Sequence, residues 1–225
     1  ATNPDKDFGW KKGLNNALSH NYKEEWIERI PGEIWKYCAA VGNPFESGVI
    51  NDEGSILDLG CGAGVDLCVA SLLVGEKGNV IGIDITPAMV EKAQFHAALA
   101  NFSNITVTEG SFESLPVDDE CIDVVISNGD INLVSAKENV FADLFSVLRR
   151  GGYLTFSDMI KDEGHLENRA CTKESWADCV AGTLKSNQII QMLNEAGFNE
   201  AKLLSTNHYK TSESTIGATF IAKKI

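Results

Sequence analysis

The chain reads as an α/β protein, a mostly parallel sheet with helices on both faces. Three observations predict this. From Ser55 onward, short apolar segments of strand character alternate with longer segments of helical spacing. A glycine loop, Gly60-Cys61-Gly62-Ala63-Gly64, follows the first strand directly and opens a helix. At 225 residues the chain is long enough for one such domain with a full core.

Residues 1–50 come first and carry short helical patterns with apolar and aromatic positions at Trp10, Leu14, Leu18, Trp26, Ile30, Ile34 and Trp35. Pro31 stands where a helix can begin, and Gly42-Asn43-Pro44 ends the region. No strand pattern occurs here, so the expectation is a helical cap over 1–50 and a core over 51–225. "SILDLG" is the first strand, and "AGVDLCVASLLVG" has helical spacing up to Gly75. "NVIGID" is the second strand, followed by a helix from Pro87 through Ala100. "ITVTEG" and "CIDVVIS" are the third and fourth strands. The pattern then predicts a helix over "AKENVFADLFSVLRR", stopped by Gly151-Gly152, and a fifth strand over "YLTFSDMI". A last helix, "SNQIIQMLNEAGF", closes at Gly197. The close final pair, "AKLLSTNHY" and "TIGATFIAKK", suggests an antiparallel excursion. The sum is a seven-stranded, mostly parallel sheet with one antiparallel edge strand.

Composition narrows the function. The formal net charge is −13, and no Lys/Arg run exists, which argues against a nucleic-acid surface. No stretch approaches membrane-spanning length, and the opening "ATNPDKDFGWKKG" has no apolar signal core. The expectation is a cytoplasmic protein acting on a small molecule. The six cysteines form no CxxC pair or zinc-ribbon spacing and read as reduced thiols.

The glycine loop is the first functional signal. Ligands of open α/β sheets sit at the carboxyl ends of the strands, and glycine lets a ligand approach the backbone closely. A dinucleotide fingerprint requires a third glycine at position 65, which is Val. Asp58, two residues before Gly60, would repel a pyrophosphate but suits an ammonium. Asp84 ends the second strand, where a carboxylate accepts the hydroxyls of a ribose. A ligand with ribose, adenine and an amino-acid ammonium but no phosphate is S-adenosylmethionine (SAM). The cofactor residues expected on this reading are Asp58, Gly60, Cys61, Gly62, Gly64, Asp84, Ile85, Met89, Ser111, Phe112 and Asn128. Ser111 and Phe112 border the adenine.

This combination of a D-x-G-x-G-x-G loop with an acid ending strand two resembles the class I SAM-dependent methyltransferases and their Rossmann-like fold. Several stretches resemble one branch, the arsenite methyltransferases: "GNPF" at 42–45, "LDLGCGAGVD" at 57–66, "VGEKGNVIGIDITPAMVEKA" at 74–93, "VVISNGDINL" at 124–133, "FSDMI" at 156–160 and "WADCVAGTL" at 176–184. That branch holds trivalent arsenic through thiolates on separate loops. It has cysteines where this chain has Gly129 and, commonly, Val41. A third often matches Leu67, with Cys68 one residue on. Cys179 alone falls on a family cysteine, with Cys171 or Cys38 able to assist. The resemblance therefore implies a SAM-dependent methyltransferase with an incomplete cysteine set. Cys179 and Asp130 are its candidate catalytic residues, Asp130 as a group that orients an amine or hydroxyl acceptor or acts as a weak base. Oxygen, nitrogen or carbon acceptors of a small metabolite, a SAM-binding protein without catalysis, and an NAD-dependent dehydrogenase are the alternatives. The last is disfavoured by Asp58 and Val65.

Overall fold

A computed structural model of the chain describes residues 12–112, 114–162 and 182–225. Its centre is a seven-stranded sheet. The strands are β1 (Ser55–Leu59), β2 (Asn79–Asp84), β3 (Ile105–Glu109), β4 (Ile122–Asn128), β5 (Leu148–Lys161), β6 (Asn199–Thr206) and β7 (Thr215–Lys223). They lie in the order β3-β2-β1-β4-β5-β7-β6. The first five are mutually parallel, while β7 runs antiparallel to both β5 and β6. The expected antiparallel strand is therefore present but lies one place in from the edge, with β6 outside it.

Strand alternation builds two cores. Ile56, Val124 and Ile126 face one side, together with α4 (Val65–Val74) and α5 (Pro87–Leu99). Leu57, Leu59 and Val125 face the other, together with α6 (Lys137–Val147) and α7 (Ser186–Glu195). Burial on both faces is why these strands read as nearly continuous apolar runs.

Before β1 come α1 (Leu14–Ser19), α2 (Glu24–Arg29), α3 (Gly32–Trp35) and a 3-10 turn at Pro44–Ser47. They are not a separate layer. Tyr22, Trp26, Ile34, Trp35 and Phe45 join the same core as α4, and Tyr22 meets Trp26, Trp35 and Phe45 edge-on. The Thr155 hydroxyl donates to the Pro44 carbonyl at 2.8 Å, tying the turn to β5.

One helix ends earlier than its pattern predicts. α6 stops at Val147, and Leu148 already pairs with Ile122 as part of β5. The register then slips before Val124 pairs with Tyr153. Arg149, expected in the helix, instead reaches both oxygens of Asp123, at 2.9 and 3.0 Å. Strand pairing and this ion pair outweigh the helical spacing of "VLRR".

Candidate functional site

The strand order reverses between β1 and β4, so their carboxyl ends diverge and leave a crevice. The glycine loop fills one wall. The Gly60 and Cys61 amides donate to the Ile83 carbonyl at 2.9 and 3.0 Å, and the Gly64 amide to Cys61 at 2.8 Å. Gly62 has φ +51°, and a Cβ built on it would have nothing within 4 Å among the described residues. The loop thus turns its middle glycine toward open space.

Asp84 fixes that turn. One of its carboxylate oxygens accepts from the Gly62 amide at 2.9 Å and the other from the Thr86 amide at 2.8 Å. Beside it Ile85 is 66% exposed, an unusual place for a large apolar side chain. Met89 is half-buried on the first turn of α5. On the far side Ser111 bridges to Ser114, and Phe112 packs against the second core.

Carboxylates converge on the β1–β4 side. Asp58 is buried, and its Oδ2 has no hydrogen-bond partner. Burial pushes its carboxyl well above the usual range, and Asp66, Asp130 and Asp84 add to that. Asp130 lies directly against the loop: a Cβ on Gly60 would come within 2.5 Å of its Cγ and Oδ2. Burial raises its carboxyl too, followed by the charges of Asp158, Asp84 and Asp66. Asp158 is buried behind it and accepts from the Asn132 amide, the Asn132 side chain and the Met159 amide, at 2.9, 2.8 and 2.7 Å. Burial still raises it to about 6.

Sequence reasoning did not find Tyr22, Asp66 or Asp158. The Tyr22 hydroxyl donates to Asp66 Oδ1 at 2.7 Å. Asn128 Nδ2 lies 3.1 Å from the Tyr22 oxygen, 3.0 Å from Asp66 Oδ2 and 3.2 Å from the Gly42 carbonyl. Asn128 Oδ1 accepts from the Val41 amide at 3.0 Å. Expected as a cofactor-facing amide, Asn128 instead joins the N-terminal segment, α4 and β4 at one junction. Asp66, in the first turn of α4, carried a sequence signal as the acid closing "GCGAGVD". Tyr22 carried none. Tyr22→Phe leaves Asp66 short of a donor and is expected to destabilise the fold by about 1–3 kcal/mol, read as a lower denaturant midpoint.

Four of the six thiols lie among the described residues. Cys38 and Cys68 are buried, and burial raises both to about 12. Burial likewise pushes Cys61 up, with Asp58 and Asp84 adding to it. Cys121 lies just before the amino end of β4, bonded to the Asp118 carbonyl. Cys171 and Cys179 lie outside the described residues. Among the described residues no His, Cys, Asp or Glu cluster is arranged to hold a metal ion. Gly129 and Val41, the two positions where the sequence resemblance implies cysteines in the arsenite branch, are neighbours: a Cβ on Gly129 would stand 3.5 Å from Val41 Cγ1.

A model of the methyltransferase domain family matches residues 50–197. The chain belongs to that family. It is 38% identical to an arsenite methyltransferase of Halobacterium salinarum, over 72% of this chain and 41% of that protein. It is also 38% identical to the arsenite methyltransferase of Homo sapiens, over 68% of this chain and 43% of that protein. The chain thus spans less than half the length of these curated relatives. The crystal structure of an arsenic(III) S-adenosylmethionine methyltransferase from Chlamydomonas reinhardtii superposes with a TM-score of 0.69 at 28% identity, covering 96% of this chain and 75% of that one. The class I resemblance, its fold and its cofactor class are borne out. No helix among the described residues is long and apolar enough to cross a membrane.

The methyltransferase domain's own residues suit SAM. The space in front of Gly62 admits the cofactor, Asp84 stands at the strand end where a ribose is read, and the unpartnered oxygen of Asp58 calls for a cationic group. Asp84→Ala is expected to weaken SAM binding by roughly 1–3 kcal/mol, since it removes a charged acceptor and frees the Gly62 amide. Unchanged calorimetric affinity in the folded variant would refute the ribose assignment.

Proposed function

We propose that this methyltransferase domain transfers the methyl group of SAM to a small-molecule acceptor seated between the end of β4 and the Val41 segment, and that arsenite is a poor acceptor. The observation that supports this is the open glycine loop with Asp58 and Asp84 beside it, together with the neighbouring Val41 and Gly129, which meet with no thiol between them among the described residues. SAM supplies a sulfonium methyl open to in-line displacement. The chain supplies alignment, which in good cases lowers a barrier by roughly 7–11 kcal/mol. The glycine loop, Asp58 and Asp84 hold the cofactor. The segment from α1 to the 3-10 turn serves as a lid that excludes water. An acceptor with its own lone pair needs no strong base, and none is required of the residues around Gly129. Cys179 is kept as an acceptor-side candidate on its family alignment.

The function is tested in two steps. Calorimetric titration with SAM and with NADH comes first, and a folded protein that binds NADH but not SAM overturns the reading. Radiolabelled methyl transfer to a panel of small amines, hydroxyl compounds and arsenite follows. SAM binding with no turnover on any acceptor would favour a non-catalytic SAM-binding protein.

A further inference from the structure

We infer that Asp130 is a specificity-determining residue that distinguishes SAM from its demethylated product by placing a carboxylate beside the one charge that methyl transfer removes. The inference rests on the proposed cofactor site and assigns a separate task to each of its acids.

When the methyl group leaves, the S–CH3 bond breaks and its electron pair stays on sulfur. The acceptor's lone pair forms the new bond. The cofactor keeps its ammonium and carboxylate but loses the sulfonium charge, becoming the neutral thioether S-adenosylhomocysteine (SAH). A carboxylate near the ammonium acts on both forms. A carboxylate near sulfur acts on SAM alone.

The geometry separates the two. Asp84 ends β2 and holds the ribose side of the loop. Asp58 lies under the loop on β1, with its buried Oδ2 unpartnered. Sulfur joins the ribose to the amino-acid portion, so it lies between these ends, across the loop. Asp130 reaches that stretch from the β4 side, against Gly60. Gly129, at φ +93°, is the turn that sends the chain back toward β1.

The surroundings of Asp130 are one-sided. Asp58 of β1, Asp66 of α4, Asp84 of β2 and Asp158 of β5 all oppose its ionisation or lie beside those that do. The Cys61 thiol lies among the same carboxylates. Lys137 acts on Asp158 and donates to the Asn132 and Val134 carbonyls. Without a ligand cation, burial and these neighbours favour the protonated carboxyl. A sulfonium reverses that preference, so SAM binding releases a proton that SAH binding does not. The raised carboxyl gives the sign: the SAM preference is fullest above the raised range and fades as pH falls through it.

The test is calorimetric titration of SAM and of SAH against the wild type, Asp130→Asn and Asp58→Asn, with circular dichroism to check folding. The wild type is expected to bind SAM more tightly than SAH by roughly tenfold or more. Asp130→Asn should bring the two within about threefold of each other while leaving SAH affinity in place. Asp58→Asn should weaken both ligands alike. On the unmodified protein, the SAM-to-SAH affinity ratio should fall as pH is lowered, and repeats in buffers of different ionisation enthalpy should show more proton release with SAM than with SAH. If both ligands bind and Asp130→Asn leaves their ratio unchanged, or the wild-type ratio is flat with pH, the inference is overturned while the cofactor reading stands. If neither ligand binds the folded wild type, the cofactor reading fails and takes this inference with it.

Discussion

Gly62→Val is expected to abolish detectable SAM binding in a domain that still folds. A side chain at this position projects into the space in front of the loop, because nothing among the described residues lies within 4 Å of its Cβ. The same φ of +51° that suits glycine strains a β-branched residue by about 1–2 kcal/mol. Typical stabilities of about 5–15 kcal/mol absorb that strain. The cofactor cannot, because the proposed site seats it against this residue, where the added side chain would stand. The loss should exceed roughly a hundredfold in affinity, well beyond the Asp84→Ala effect, because a steric block is not a lost hydrogen bond. Calorimetry and a denaturation curve on one preparation separate binding from folding. A variant with wild-type SAM affinity would mean that the loop is not the cradle.

Arsenite methylation by the wild type is expected to be weak or absent at micromolar arsenite with a thiol reductant present. Trivalent arsenic needs soft ligands, and losing a metal–thiolate contact costs several kcal/mol, on the order of a thousandfold or more in affinity. Cys38 and Cys68 do not replace the lost thiolates, since both are buried and held protonated. Gly129→Cys alone is expected to restore little. Its φ of +93° disfavours any side chain, and among the described residues it would meet Val41. Val41→Cys together with Gly129→Cys places two thiols side by side, and this pair should bind arsenite where either single variant does not. Thiol titration in the presence of arsenite, followed by radiolabelled methyl transfer, reads both steps. Efficient wild-type turnover that survives Cys179→Ser would defeat the thiolate argument. Turnover lost in Cys179→Ser would show that another cysteine completes the site.

Much of the sheet was legible because buried parallel strands have a distinctive composition and their ends carry the ligand chemistry. Asp58, Asp84 and the glycine loop could be placed at neighbouring strand ends from the alternation alone. What could not be read depends on tertiary geometry. Asp130 was expected to orient an acceptor, and its carboxyl lies against Gly60 of the glycine loop. A glycine at 129 permits the turn that sends it there without specifying it. Asn128 ends β4 as expected, but its amide serves Tyr22, Asp66 and the Val41 segment, which no local pattern predicts. The early end of α6 reflects the pairing of Leu148 with Ile122, a contact invisible to helical periodicity. The adjacency of Val41 and Gly129 required the whole fold.

The junction of Tyr22, Asp66 and Asn128 also bears on the order in which the molecule assembles. Its members are 44, 62 and 106 residues apart along the chain. Contacts of such span repay the loop-closure entropy only after most of the intervening chain is in place. Tyr22 and Asp66 are both synthesised well before Asn128, so neither meets its full set of partners until β4 has formed. Local helices and the β1–β2 pairing can form early, whereas the contact of Val41 with Asn128 is expected late in folding. Mutations at the junction should therefore speed unfolding more than they slow folding, which stopped-flow measurements on Tyr22→Phe would display as faster rates along the unfolding limb with the folding limb nearly unchanged.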